Sequence, residues 1–512
     1  MGYKQKNIDW VLLLFLLLFT NQAIFSLKLL GLLFVYVARP DFKFGITKGR
    51  VPLFIPLLLL LSCINFFLFV RDFSYEYTIA FIAGNALWVF SFLSFHQIKL
   101  SIERYGTATS HKTLKLFIVL HFLFCIGQLV RIMLSTGTLN PYVGLEFPYG
   151  MSTGDNVFGT FMENSLYNVT VSGFLAIYFL FKRNWFHAML ASVCVILVFS
   201  NFGTIVFGSV LLGLFFTGTL YALTNGKITW LKRIAPPGNF ALYIPAYILL
   251  IIFLYVTVSP DNANYFVAKV KNKIFSIEVE GKNNYKGMLS DQKPHAEAFT
   301  MTASEYYEMK TKGMDKEKLY FTTATQQSGT ADKTSRIAIM RNMTKTYVMK
   351  LQGKTLAVLE TMQYLKSSPV HLFFGAGTTR FSSHIAQKMA GYDSSRLFMN
   401  VLPHFASQEY KENHVLLIEE RMRSDKEFYS TANFPDSFYN QIFGEYGILG
   451  ALLFIFFYVG YFLKSFHKLT YGLWLFIILL PFAHLSYIFD TLCVVPFFEW
   501  LMLVDIEKEN HT

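Results

Sequence analysis

Charge is scarce in this chain. Asp, Glu, Lys and Arg make up 15% of its 512 residues, where an ordinary soluble domain carries roughly 25%. So little charge with so much apolar residue excludes a disordered chain, which is polar and charged, and a charge-laced coiled coil. Cysteine is scarcer still: four in the whole chain cannot build a disulfide scaffold. Two short motifs of soluble catalysis are missing as well. There is no HExxH zinc site and no CxxC pair. Gly353-Lys354-Thr355 ends like a phosphate loop, but Val348 stands where its first glycine belongs. No compact acidic cluster of the kind metal-dependent glycosyl transfer uses occurs in the loops. The expectation is therefore a site with no metal and no cofactor.

What is abundant is apolar and aromatic. Hydrophobic residues make up 53%, with 55 Phe, and the mean hydropathy is +0.39. A purely soluble enzyme is a poor fit to these values; an all-α polytopic membrane protein is a good one. A spanning helix takes about 20 apolar residues. Such runs lie near 9–25, 52–70, 77–96, 114–134, 166–182, 185–200, 203–223, 239–259, 440–463 and 469–487. Two weaker segments, 26–38 with Lys28 and 490–504 with Asp490 and Glu499, bring the expected total to about 12 spans. The organisation expected is an N-terminal bundle over 1–259 (about 9 helices), one large and mostly helical loop domain over 260–439, and a C-terminal helical part with a short tail over 440–512.

Charge placement gives these spans a direction. With the N-terminus inside, Arg39, Lys43, Lys48 and Arg50 share a loop with the cytoplasm. So do Lys99, Arg104 and Lys112, then Lys182 and Arg183, then Lys227, Lys232 and Arg233, and finally Lys464 and Lys468, as the positive-inside rule asks. This works only if 26–38 crosses. The loop over 135–165 contains acids and neither Lys nor Arg, and falls outside with 260–439. The net charge of +12 is then mostly a topology signal, and nucleic acid is not an expected partner. Cys63, Cys125, Cys194 and Cys493 all lie in apolar spans and read as core residues, as do His121 and His484.

Three segments on the outer side carry information. They are Gly159-Thr-Phe-Met-Glu-Asn-Ser165, Ser367-Ser-Pro-Val-His-Leu-Phe-Phe-Gly-Ala-Gly-Thr-Thr-Arg-Phe-Ser-Ser383, and a third that runs from Glu412-Asn-His414 through Asn433-Phe-Pro-Asp-Ser-Phe-Tyr-Asn-Gln441 into Gly444-Glu-Tyr-Gly-Ile-Leu-Gly450. This order, over roughly 354–463, resembles the O-antigen ligase and O-antigen polymerase superfamily, and most of all its polysaccharide polymerase-like members from Bacteroidota. The resemblance implies a metal-independent, inverting membrane glycosyltransferase of GT-C-like build in the bacterial inner membrane, with both termini cytoplasmic and the large loop periplasmic. Its donor would be a glycan on undecaprenyl diphosphate. Its acceptor would be another lipid-linked repeat unit, for a polymerase, or lipid A–core, for a ligase. Membrane lipid and other polysaccharide-assembly proteins complete the implied partners. A lipid-linked sugar flippase or transporter is the alternative of a different class.

Glycosyl transfer from a lipid diphosphate needs fixed cations for the leaving group and a base for the attacking hydroxyl. Arginine suits a diphosphate because its planar fork bonds two oxygens at once. Arg380 is the first candidate, after the Gly375-Ala376-Gly377 turn, where exposed amides could also face an anion. Arg336 and Lys354 are alternative cations. The family often has an Arg about 20 residues before the turn, where this chain has Lys354. Arg131, near the outer end of a span, is a further candidate. His414 is the leading base. Asp436 stands where the family often has a histidine; it could accept a proton or cap the helix that follows, and the cap is favoured. Glu163 is a candidate ligand for a sugar hydroxyl. The glycines at 444, 447 and 450 read as close helix packing.

Overall fold

The computed structural model describes residues 7–258 apart from short gaps, the largest at 138–156, together with 353–391, 403–415 and 434–507. Within these residues the regular structure is helical and no strand occurs. Helices fall on every apolar run. They are α1 (Trp10–Phe19), α2 (Phe25–Ala38), α3 (Phe54–Leu68), α4 (Tyr75–Thr136), α5 (Ser165–Phe181), α6 (Trp185–Leu197), α7 (Asn201–Leu223), α8 (Thr229–Ile234) and α9 (Phe240–Val258). After the loop come α10 (Gly353–Lys366), α11 (Pro369–Phe374), α12 (His384–Met389) and α13 (Gln408–Tyr410), which runs on as a π-turn over Lys411–Val415. The chain closes with α14 (Phe438–Leu453, extended through a π-segment to Leu463), α15 (Gly472–Leu485) and α16 (Val495–Glu507). Three stretches are long and apolar enough to cross a membrane by themselves: Tyr75–Ser135, Phe202–Leu223 and Phe438–Leu463. Seven further apolar helices are 10–17 residues long. This is the build of a helical membrane protein. Arg336 and Glu163, and the apolar spacing over 336–351, lie outside the described residues.

The 62 residues of α4 contain a reversal. Gly106 has φ 78° and ψ 173°, outside any helix. Asp9 is touched from both sides of it, by the Ser101 hydroxyl and by Thr113 Oγ1, which accepts the Asp9 amide at 3.0 Å. In an unbroken helix those two residues stand about 18 Å apart. The chain therefore turns back at Gly106, and the two halves match the two apolar runs at 77–96 and 114–134.

The weak spans are explained by what their polar residues hold. Lys28 on α2 is buried, and its ammonium donates to the carbonyls of Phe19 (3.0 Å) and Asn21 (2.8 Å). A cation thus sits on the carbonyl end of α1, where the helix dipole is negative. The last helix is buried over most of its length, and its acids face the bundle. Glu499 accepts from the Tyr458 hydroxyl at 3.0 Å. Asp505 accepts the amides of Thr470 (2.7 Å) and Gly472 (3.0 Å) at the start of α15. Asp490, in the turn before α16, takes the His384 amide at 2.8 Å.

Candidate active site

The segment after α11 does not stand off the bundle; it is pushed into it. Helix α14 is broken at Gly447, with φ 65° and ψ −161°. A break there removes the amides that would cap the carbonyls one turn earlier. The Gly375-Ala376-Gly377 turn supplies replacements: Ala376 N–H donates to Gly444 O at 2.8 Å, and Gly377 N–H to Glu445 O at 3.0 Å. The fit leaves no room for side chains. A Cβ on Gly375 would lie 2.5 Å from the Glu445 backbone, and one on Gly447 would lie 2.5 Å from the Phe373 backbone. Gly444 receives the face of Phe381 in the same way. Asn65 on α3 closes the seam, with its amide group 2.7 Å from Phe374 O and 3.3 Å from Glu445 O.

This geometry corrects one expectation. The amides of Gly375, Ala376 and Gly377 all donate to protein carbonyls, that of Gly375 to His371 O at 2.8 Å. They are not offered to an anion. Gly375 and Gly377 are there for close backbone approach and for positive φ, 71° and 96°.

What the seam positions is Arg380. Thr378 Oγ1 meets Ser62 Oγ of α3 at 2.5 Å, and both threonine methyls pack where Gly84 of α4 has no Cβ. Thr379 is held at φ 61°, a costly backbone for a β-branched residue, and the next residue is Arg380. The guanidinium is buried at the junction of α3 and α4. Its Nη1 donates to Phe69 O at 3.2 Å, and it lies over the rings of Phe69 (5.6 Å) and Tyr77 (5.4 Å). Its Nη2 reaches both carboxylate oxygens of Glu409, at 2.9 and 3.1 Å. The Glu409 side chain is 19% exposed against 4% for Arg380, so the pair opens on the Glu409 side. Ser407, which caps α13, also donates to Arg380 O and ties the two segments together.

His414 lies on the π-turn, a deformation common at functional sites. Its ring meets Phe381 edge-on at 4.8 Å, with Tyr410 at 5.7 Å. Both ring nitrogens are buried without a hydrogen-bond partner among the described residues. Burial pushes its pKa down to about 3, so the ring is neutral. It is neither the satisfied loop histidine nor a base poised near neutral pH. Tyr364 of α10 stacks between His371 (4.5 Å) and Phe381 (4.8 Å). Its hydroxyl is likewise buried and unpartnered.

Lys354 and Asp436 find each other. Lys354 Nζ is 2.7 Å from Asp436 Oδ1 and also meets the Asp436 carbonyl. Burial lowers the Lys354 pKa, and the Asp436 carboxylate opposes that shift. Burial raises the Asp436 pKa, and Lys354 opposes it. The expected capping role of Asp436 falls to its neighbour: Ser437 is the N-cap of α14 and accepts the Tyr439 amide at 3.2 Å. Arg131 is exposed on the returning half of α4, and no described contact brings it to Arg380.

Four residues around Arg380 escaped the sequence reading. Glu409 sits five residues before His414, the spacing of a π-turn rather than an α-turn. Tyr77 and Phe69 come from spans read only as apolar. Glu445, inside the GEYG string, is fully buried. Its carboxyl faces the amides of Thr379 and Ser382 and the Ser383 hydroxyl, yet neither oxygen makes a hydrogen bond of ordinary geometry. A carboxylate in the middle of an apolar, glycine-rich string was the available signal.

One apolar feature leads to this place. A groove of about 320 Å³ runs between α3 and α14, lined by Leu57, Leu60, Ile64, Leu449, Leu452 and Phe456, among others. Ile64 is its last α3 residue, Asn65 of the seam is next, and Phe69 lies about 8 Å further along the helix axis.

Comparison with known proteins identifies no relative: no family model, no curated protein and no solved structure matches this chain.

Proposed function

We propose that the chain is a membrane glycosyltransferase that moves a glycan from undecaprenyl diphosphate, joining repeat units on the periplasmic face of the inner membrane, with both termini in the cytoplasm. The observation that supports this reading is that the apolar groove ends at Ile64, one residue before Asn65 of the seam that positions Arg380. A polyprenyl tail needs an apolar channel open to lipid, and its diphosphate needs a fixed cation at the channel's end. Leu60 and Phe456 are 58% and 66% exposed on the groove's rim, as a channel open to lipid requires. Arg380 lies within about two helical turns of it.

The chemistry then assigns roles. The acceptor hydroxyl attacks the anomeric carbon, and the carbon–oxygen bond to the diphosphate breaks. Negative charge gathers on the leaving diphosphate, and Arg380 stabilises it. Phe69, Tyr77 and the Phe69 carbonyl fix the plane of the fork, so little reorganisation is needed at the moment of reaction. Glu409 holds the site neutral while it is empty and gives way to the incoming diphosphate on its open side. His414 is the base candidate that packs on Phe381, the residue after Arg380. Burial alone leaves it a weak base, but an anion docking on Arg380 raises the proton affinity of a neighbouring imidazole. Lys354 and Asp436 take no part in this chemistry; they tie α10 to α14.

The test is a gel profile of surface polysaccharide from a deletion strain. Loss of long chains with a single repeat still on lipid A–core supports the polymerase. Loss of all glycan from the core, with long chains accumulating on the carrier lipid, makes the chain a ligase. An unchanged profile overturns the proposal.

A further inference from the structure

Away from Arg380, the returning half of α4 brings His121 and Cys125 to one helix face, four residues apart. Cys194 of α6 stands opposite them. One ligand atom from each of the three lies within 4.8 Å of the others, and all three residues are fully buried. We infer that His121, Cys125 and Cys194 form a binding site for a single thiophilic divalent cation, zinc being the one the donors fit.

Three observations carry this. The first is donor chemistry: two sulfurs and an imidazole are a borderline-soft set that zinc takes in tetrahedral sites. With Zn–S near 2.3 Å and Zn–N near 2.0 Å, ligand atoms of such a site stand about 3.5–3.8 Å apart. A contraction of about 1 Å from the observed limit closes it. The second is the surroundings. His121 Nδ1 faces the Thr160 hydroxyl at 3.0 Å and the Thr160 amide at 3.2 Å. His121 Nε2 faces Asn168 Oδ1 at 2.8 Å and Ser172 Oγ at 3.3 Å. Asn168 Nδ2 in turn bonds Cys125 Sγ at 3.3 Å and Val157 O at 2.8 Å. The Nε2 side therefore looks toward the thiols. Nδ1 accepts the Thr160 amide, which leaves the ring proton on Nε2 facing Asn168 Oδ1; a metal bound at Nε2 requires that proton to move to the Nδ1 side and the Thr160 amide to turn away. Asn168 Oδ1, here paired with His121 Nε2 and the Ser172 hydroxyl, would have to leave both to fill a fourth position. The third is charge. Among the described residues the groups acting on the cluster are the two thiols, His121, Asn168 and Ser172, with no Asp, Glu, Lys or Arg. Two thiolates with a divalent cation are neutral, which a dry site of this kind requires. A monovalent cation with two thiolates leaves one net charge buried.

The space is kept for this ring. A Cβ on Gly159 would lie 2.1 Å from the His121 ring, and the Gly159 backbone is fixed to Gln128 at 2.8 and 2.9 Å. A bound cation would fasten α4 to α6, with Asn168 and Ser172 of α5 around it. The role assigned is structural; among the described residues no contact connects the cluster to Arg380. Binding releases the thiol protons and forms the metal–sulfur bonds, with no change of oxidation state.

The test uses the full chain purified in detergent. Elemental analysis should find about one zinc per chain, and cobalt exchanged into the wild-type protein should show a thiolate-to-metal charge-transfer band. The Cys125→Ser/Cys194→Ser double variant should lose more than nine-tenths of the zinc. Because that variant could unfold, the cobalt band on the unaltered protein stands as an independent reading. A wild-type chain that holds no zinc and gives no band with added cobalt overturns the inference, whether its thiols prove free or joined as a disulfide. Unchanged zinc in a folded double variant overturns it as well.

Discussion

By sequence Arg380 is the first candidate cation and Lys354 an alternative, and the fold puts them in opposite situations. Lys354 is sealed, 1% exposed, against a carboxylate and a carbonyl of one residue, Asp436. It joins the start of α10 to the start of α14. Arg380 is pinned between two aromatic rings at the mouth of two membrane helices, and its counterion lies on the open side. One ion pair ends in itself; the other can exchange its partner. A cation's residue type says that it can bind phosphate. Whether it does depends on what else could replace its counterion.

This contrast can be broken in several ways. Arg380 rests on the glycine seam, so Gly375→Ala should have the largest effect. A methyl 2.5 Å from the Glu445 backbone at φ 71° should cost about 4 kcal/mol, seen as loss of monodisperse protein in detergent. Arg380→Ala should keep the fold and lower transferase activity on the order of 10²–10³-fold, measured with a lipid-linked oligosaccharide donor. Arg380→Lys should recover only part of it, since an ammonium lacks the fork. Lys354→Met should do the reverse, lowering stability by about 2 kcal/mol and leaving activity per folded molecule within a few fold. The figure is below that for a fully buried pair, because Asp436 is 23% exposed and can regain water.

The smallest effect concerns His414 and depends on pH. Its folded pKa is held at about 3 by burial, below the usual value near 6.5. Between these two values the unfolded chain takes up a proton that the folded chain refuses. Stability is therefore lost as pH falls through that window. Going from about pH 7 to about pH 5, wild type should lose about 2 kcal/mol that His414→Phe does not. Parallel thermal-unfolding curves for the two proteins across that range would show that His414 is protonated in the folded state.

Much of the helical layout was readable, because an apolar run of spanning length has few other destinations. Lys28 in α2 and Glu499 in α16 made those spans look weak. Their partners, the end of α1 and Tyr458, come from other parts of the chain that local hydropathy does not see. The reversal at Gly106 was legible from charge, through Lys99, Arg104 and Lys112 between two apolar runs. In the site, the glycine strings pointed to the right segments and the wrong purpose. Their spacing could not show that the amides of one string answer the carbonyls freed by a break in the other. Arg380 was singled out because arginine after a glycine turn is a phosphate pattern. Glu409 was missed because a π-turn shifts its register against His414. His121 and Cys125 share a helix face by their spacing alone; only Cys194, from a different helix, makes them a cluster.

The central claim is that Arg380, and not Lys354, receives the diphosphate. Thermal unfolding in detergent, with and without undecaprenyl diphosphate, tests it most directly across wild type, Arg380→Ala and Lys354→Met. The expected result is stabilisation of wild type and Lys354→Met by the lipid and none for Arg380→Ala. Equal stabilisation of all three, or its loss in Lys354→Met alone, would contradict the account.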